Sequence, residues 1–322
     1  MAGKGTRLRP QTLTTPKPLI EVAGKTIIAR IVTMIIEKLS QSIENIGFII
    51  ENKNKEIEAE LYLIGKKNKI KTHIFYQKKA EGTAHAIYCA KKILKNETLI
   101  VFSDTLFKAN LSFPDKADGC VFVKEVANPK SYGVVKLDQG GHITDFIEKP
   151  EKDISKLAIV GVYYFKNGNL LAKEIQQVLN KNIKIKGEYQ ITTVLENLKN
   201  KGLKFAPHKI SDWYDFGTPE NLLLSHSKIL RIENPTNKKY KNTTIYPPCY
   251  IGDDVIISDS EIGPNVSIAS GTKIKKSKIK NTMIHSNSKI EGAVLKESII
   301  GKNVDYVGNF KTVNIGDHST FK

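Results

Sequence analysis

The stretch Gly3-Lys-Gly5-Thr6-Arg7-Leu-Arg-Pro10, followed by Pro16-Lys17-Pro18, has the residue types of an anion site. Glycines let a backbone approach a phosphate closely, and consecutive amides form an anion nest. A helix start behind such a loop adds its dipole. Arg7 and Lys17 bring positive charge, and the prolines flanking Lys17 stiffen its backbone. The spacing is not that of a Walker loop, which needs Gly-Lys followed by Ser or Thr. Nor is it a dinucleotide fingerprint, which needs a third Gly.

Acids come next. Asp104 follows the apolar run 98–102, so it sits at the carboxyl end of an expected buried strand, where α/β folds place ligand groups. Asp215 lies in the aromatic, Gly-containing run Trp213-Tyr-Asp-Phe-Gly-Thr-Pro219. Two such carboxylates could converge on one Mg²⁺, a hard cation that prefers carboxylate and phosphate oxygens. A turn role is the plain alternative for each. Lys149 stands in Glu148-Lys149-Pro150 at an expected strand end. Gln77 offers an amide donor and acceptor to a base edge. His85 is expected on a helix surface or in packing, and His285 as an exposed turn residue.

Taken together, these residues resemble the sugar-1-phosphate nucleotidyltransferases, or nucleotide-sugar pyrophosphorylases. Gly3-x-Gly5-Thr6-Arg7-x-x-Pro10 with Pro16-Lys17 looks like that family's signature. Other segments arrive in family order. Tyr76-Gln77 and Glu81-Gly82-Thr83-Ala84 resemble the nucleobase segment. Phe102-Ser-Asp104 resembles the metal-holding strand end. Tyr132-Gly133-Val-Val and Glu148-Lys149-Pro150 resemble the sugar-phosphate site. Gly187-Glu188-Tyr189 resembles the sugar-hydroxyl contact, and Trp213 to Pro219 the second metal-binding acid. Closest in texture are the glucose-1-phosphate thymidylyltransferase-like proteins in their long form.

The resemblance implies Mg²⁺-dependent transfer of a nucleotidyl group from dTTP or UTP to a sugar 1-phosphate, with glucose 1-phosphate favoured. It implies catalytic roles for Arg7, Lys17 and Lys149. Nucleotide binding would fall to Gly3, Gly5, Thr6, Gln77, Gly82 and Thr83. Sugar-phosphate binding would fall to Gly133, Glu148, Lys149 and Glu188, and the metal to Asp104 and Asp215. A non-catalytic regulatory or scaffolding homologue should lack some of these; Arg7, Lys17, Asp104, Lys149 and Asp215 are all present. The family also has an apolar strand just before the Gly-rich loop. Met1 lies two residues before Gly3, so the loop is expected to need a strand from upstream, without which activity is impaired.

The elements that must hold these residues follow from periodicity. Ile27, Ile28, Ile31, Ile35, Ile36 and Leu39 have helical spacing. Residues 47–50, 70–76 and 98–102 read as strands, and 83–94 as a helix. From Gly119 onward consecutive strands appear at 121–123, 132–137, 143–147 and 159–165, then helices at 169–179 and 189–198. Residues 1–228 therefore read as a Rossmann-like, mixed-sheet α/β nucleotidyltransferase domain, and the polar stretch 229–242 as a linker. In 243–322, Ile251 and Ile257, Ile262, Ile268 and Ile274, Ile284 and Ile290, and Val294 and Ile300 recur every six residues. An apolar residue with a following Gly at that period marks a parallel β-helix of roughly four coils of ~18 residues. The resemblance makes it left-handed. An acyl-transfer role is disfavoured, because the tail is short and its histidines are His285 and His318.

The 322 residues carry a net charge of +17, from 50 basic and 33 acidic side chains. Only four of the basic ones are arginine, the usual reader of guanine and phosphate. The charge therefore reads as a solvated lysine surface, with no nucleic-acid partner. The expected partners are an NTP, a sugar 1-phosphate and further copies of the chain. Three dispersed cysteines without a CxxC pair, no apolar run near the ~20 residues of a membrane span and no signal pattern point to a cytoplasmic protein.

Overall fold

Alternating apolar strands and amphipathic helices between residues 31 and 213 build a layered α/β unit. The computed structural model describes residues 5–39, 43–109, 111–152, 154–233, 238–308 and 312–321. Of these, 31–213 form one compact unit, and 5–30 together with 214–321 form the other.

In the first unit, after most of the helix Ile27–Lys38, the elements include β1 (Asn45–Ile50), α1 (Lys55–Lys67), β2 (Lys71–Tyr76), α2 (Thr83–Cys89) and β3 (Thr98–Val101). They continue with β4 (Gly119–Glu125), β5 (Gly133–Leu137), β6 (Ile143–Glu148), β7 (Leu157–Phe165), α3 (Gly168–Asn180), α4 (Ile191–Asn200) and β8 (Phe205–Lys209). The main sheet runs β8-β4-β7-β5-β6, and β3 pairs with the second half of β7. Only the β8–β4 pair is parallel in this sheet, so it is mixed as the run of consecutive strands predicts. β7 is buried along nearly its whole length, which fits its continuous apolar sequence. α2, α3 and α4 supply Ala84, Ile87, Leu171, Ile175, Val194 and Leu195 to one core with Val121, Val123 and Phe165 of the sheet. β1 and β2 form a separate parallel pair.

The second unit is built on a parallel β-helix of three sheets, with four, five and five strands. Ile251, Ile268, Ile284, Ile300 and Ile315 stack directly on one another, 17, 16, 16 and 15 residues apart. The coils are thus shorter than the ~18 residues expected from the repeat. Tight corners explain the difference. Asp254, Asn265, Asn281, Asn287 and Asn303 take positive φ there, which short polar side chains tolerate best, and Asn265 Nδ2 donates to Asn281 Oδ1 at 2.9 Å. Helix α5 (Pro219–Ile232) precedes the β-helix and extends into the segment 229–242 expected to be a linker.

On one sheet the outward-pointing residues are not exposed: Ser267, Met283 and Ile299 are all buried. Residues 5–30 and α5 belong to the same unit. Gly24 lies against the Tyr250 ring so closely that a Cβ would come within 2.1 Å of it. Arg30 donates from Nε to Val22 O and from Nη2 to Ala23 O, both at 2.9 Å, and pairs with Glu233 just beyond α5.

His226 of α5 and His285 of the β-helix are consequences of this cover. Both are buried, and neither ring nitrogen of His226 has a hydrogen-bond partner. His285, expected in an exposed turn, is 6% exposed. Burial pushes His226 down to about 3, helped by His285 and Arg30. Burial pushes His285 down to about 4, helped by Lys302 and opposed by Asp317. Both rings are therefore neutral when folded and gain protons on unfolding. Their contribution is fully present above pH ~6.5 and is lost as pH falls toward 4. At pH 5 the loss should be about 2 kcal/mol per histidine. The thermal midpoint should drop between pH 7 and 5, and His226→Leu should shrink that drop; an equal drop in both proteins would refute the assignment.

Candidate active site

Residues near the carboxyl ends of β2 and β6 and the start of α4 build one hydrogen-bonded block in the first unit. Gly82 has φ +108, and a Cβ there would stand 2.5 Å from Tyr189 O and 2.6 Å from Tyr189 N. Only glycine permits this approach. The two segments are laced together: Tyr189 N donates to Glu81 O at 2.8 Å, and Ala84 N donates to Tyr189 O at 2.9 Å. Thr83 Oγ1 accepts from Ile191 N at 2.9 Å, which satisfies a first-turn donor of α4. It donates in turn to Gln190 Oε1 at 3.3 Å, and Gln190 Nε2 donates to Glu188 Oε2 at 2.9 Å. The expected nucleobase segment and the expected sugar-hydroxyl segment are therefore one structure, although more than 100 residues separate them.

Gln77 is buried, and its Nε2 donates to Gly82 O and to His85 Nδ1, each at 3.0 Å. Both hydrogens of that amide thus serve to shape the Gly82 turn. His85 is thereby held on α2, with Glu81 3.5 Å from its Nε2.

The sugar-phosphate candidates also meet. Thr192 Oγ1 donates to Glu148 Oε2 at 3.0 Å, and Lys149 Nζ lies 3.8 Å from Glu148 Oε1. A Cβ on Gly133 would sit 3.2 Å from that same Glu148 Oε2. The buried Tyr163 hydroxyl is pushed up by desolvation and by the Glu148 charge. Lys149 has φ +42 and donates its amide to Tyr132 O at 3.1 Å; Tyr132 packs edge-on against Trp213 at 5.1 Å. Asp104 lies in the turn after β3, with Thr105 Oγ1 3.5 Å from its Oδ1.

The remaining candidates belong to the second unit. Gly5 takes φ +59 ahead of a single 3-10 turn, Thr6–Leu8. Thr12 Oγ1 donates to Gly5 O at 2.7 Å, and Leu8 N donates to the same carbonyl at 2.9 Å. Leu8 is buried, whereas Thr6 and Arg7 are exposed. Lys17 opens a second 3-10 turn, Lys17–Leu19, between its two prolines. Gly3 lies outside the described residues. Asp215 is fixed just ahead of α5: Oδ1 accepts from Gly217 N at 2.8 Å and Oδ2 from Asn221 Nδ2 at 2.7 Å. Among the described residues, no group of three or more His, Cys, Asp or Glu side chains gathers as a metal cluster. No helix among them is long and apolar enough to cross a membrane.

Sequence reading missed Thr192, Gln190, Gln11 and Thr12. Thr192, Gln190 and Gln11 each meet a partner distant in the chain, and Thr12 meets Gly5 seven residues back; no local pattern marks any of them. Gly82→Ala should separate the two laced segments. The expected result is at least about a tenfold rise in the KM for nucleotide, since something must shift where backbone meets backbone; an unchanged KM would show the lacing to be dispensable.

Comparison with known proteins places the chain in a family. The family described as Nucleotidyl transferase matches residues 1–232. The chain is 30% identical to the bifunctional protein GlmU of Methanocaldococcus jannaschii over 98% of this chain and 79% of that protein. It is 29% identical to the low-salt glycan biosynthesis nucleotidyltransferase Agl11 of Haloferax volcanii, over 99% of this chain and 98% of that one. A nucleoside-diphosphate-sugar pyrophosphorylase structure from Vibrio cholerae superposes with a TM-score of 0.61 at 19% identity. It covers 70% of this chain and 97% of that one, a likeness of fold. The Gly-rich loop, the laced Gly82 and Tyr189 segments and the match over residues 1–232 lead to one conclusion: the chain belongs to the nucleotidyl transferase family.

Proposed function

We propose that the chain transfers a nucleotidyl group from a nucleoside triphosphate, dTTP or UTP, to a sugar 1-phosphate, with glucose 1-phosphate the first candidate, and releases pyrophosphate. The observation that carries this reading is the block in which Gln77, Gly82 and Thr83 are hydrogen-bonded to the Glu188–Gln190 segment. Glu148 is tied to the same helix start through Thr192. A base-holding turn and a sugar-holding carboxylate pair on one rigid support suit a nucleotide sugar. The Haloferax relative, a nucleotidyltransferase by name, aligns along nearly its full length, which supports the reaction class.

A sugar phosphate is already ionised, so it attacks the α-phosphorus without a protein base. Catalysis then rests on positioning and on offsetting charge. Arg7 and Lys17 offset the triphosphate charge, and Lys149 holds the sugar phosphate. Glu148 and Glu188 accept hydrogen bonds from sugar hydroxyls. Asp104 and Asp215 offer hard oxygen donors, and each Asp215 oxygen, having accepted one hydrogen bond, keeps a lone pair. Each carboxylate is of the chemistry that Mg²⁺ takes. When bound, Mg²⁺ would neutralise phosphate charge and polarise phosphoryl oxygens.

The test is a pyrophosphate-release panel of four NTPs against several sugar 1-phosphates. Release should require both reactants and favour a pyrimidine triphosphate. Release independent of the sugar phosphate, or none with any pair, would sink the proposal.

A further inference from the structure

Residues 9–14, which follow the Gly-rich turn, are seated on the last described coil of the β-helix, within one unit. Gln11 is 3% exposed. Its Nε2 donates to Ile315 O at 2.7 Å and to Asn314 Oδ1 at 3.1 Å, and lies 3.4 Å from Ile299 O. Thr14 Oγ1 donates to Asp317 Oδ2, while Asp317 Oδ1 accepts from Lys302 N of the preceding coil at 2.7 Å. Asn314 Nδ2 donates to Arg9 O at 3.4 Å. Pro10 rests against Gly316, where a Cβ would come within 3.1 Å of its ring. Contacts from four residues between 9 and 14 to the four consecutive residues 314–317 make this a fitted surface, not a chance touch.

The contacts reach the Gly-rich turn directly. Gln11 begins the 3-10 turn Gln11–Leu13, and its neighbour Thr12 grips Gly5 O at 2.7 Å. Gly5 O also receives Leu8 N, closing the turn that carries Thr6 and Arg7. Fixing one residue of a loose loop costs ~1–2 kcal/mol. A buried amide with three carbonyl acceptors around it holds residues 9–14 in one place, and Thr12 passes that order to Gly5. Anion nests work only when their amides are ordered beforehand.

We propose that the last described coil, at Asn314–Asp317, is a positioning element for the Gly-rich loop, with Gln11 as its latch, so that the β-helix sets affinity for the nucleoside triphosphate. This rests on the reading of Gly5–Arg7 as the triphosphate site. Gln11 acts through Thr12 and Gly5 and is a positioning residue, not a catalytic one.

The experiment uses the full chain and the variants Gln11→Leu, Thr14→Ala, Thr14→Ser and Arg7→Ala. It reads the KM for NTP and for sugar 1-phosphate separately, with hydrogen exchange over residues 5–13. Gln11→Leu should raise the KM for NTP about tenfold, roughly the value of one buried hydrogen bond. The KM for sugar phosphate should stay within about twofold, and exchange over 5–13 should speed up. Thr14 is exposed, so Thr14→Ala folds; it should raise the same KM by about threefold, and Thr14→Ser should restore it. The proposal is overturned if both KM values rise together. It is also overturned if the KM for NTP stays at wild type in Gln11→Leu while Arg7→Ala raises it. If Arg7→Ala leaves that KM unchanged, the triphosphate reading fails instead. Exchange then judges the latch alone, and unchanged protection in Gln11→Leu overturns it.

Discussion

Asp104→Asn and Asp215→Asn should each lower kcat by about a hundred- to a thousand-fold at saturating Mg²⁺, the range seen when one group stabilising transition-state charge is removed. Asparagine keeps the size and one oxygen of aspartate but removes the charge. At Asp215 the substitution keeps the framework in place. Gly217 N and Asn221 Nδ2 donate to the two carboxylate oxygens, and an asparagine can still accept one of them. Its NH2 would face the other donor, so Asp215→Asn should also cost some stability. Asp104 is half-buried in a turn, where the exchange is milder. Thermal midpoints measured beside kcat separate the two effects. A double variant no slower than the worse single variant would mark the two acids as parts of one metal site. Near wild-type rates in either single variant would remove the metal assignment.

The second large effect concerns the sheet of the first unit. Among the described residues, β1 pairs only with β2 and β3 only with β7. Each therefore has one edge of backbone donors and acceptors that no described strand covers. β3 is apolar, Thr-Leu-Ile-Val, yet none of its four residues is fully buried. Strands of that composition are normally covered on both sides. A strand-forming segment of about six residues with a short lead, fused ahead of residue 1, is expected to pair with one of these edges. The extended form should melt about 5–10 °C higher, since ~1 kcal/mol shifts a unit of this size by ~2–4 °C. It should also bind NTP more tightly, because an ordered segment just ahead of the Gly-rich turn leaves that turn less conformational freedom to lose. A Gly/Ser extension of equal length is the control. Equal midpoints and affinities for the two extensions would show that the strand is dispensable.

Local periodicity determined a good deal by itself. The helical spacing of Ile27 to Ile35, the apolar runs of β1, β3 and β4 and the six-residue recurrence of isoleucine each report a short-range demand of the backbone. The elements form where those patterns lie. The Gly-rich loop, the Gly82 turn and the acids at 104 and 215 were legible as residue types that chemistry needs. The tertiary structure decided the rest, because the deciding partners are far away in the chain. Gly82 needs to be glycine because of Tyr189. Gln77 is the exception, with partners only five and eight residues on, yet no local pattern marks its burial. Glu148 is oriented by Thr192. His285 is buried in a unit whose other members include residues 5–30 and α5, more than fifty residues distant. Gln11 meets Ile315 across 304 positions. A period can announce a strand, but only packing chooses which distant side chain fills the space beside it and whether a polar group there finds a partner.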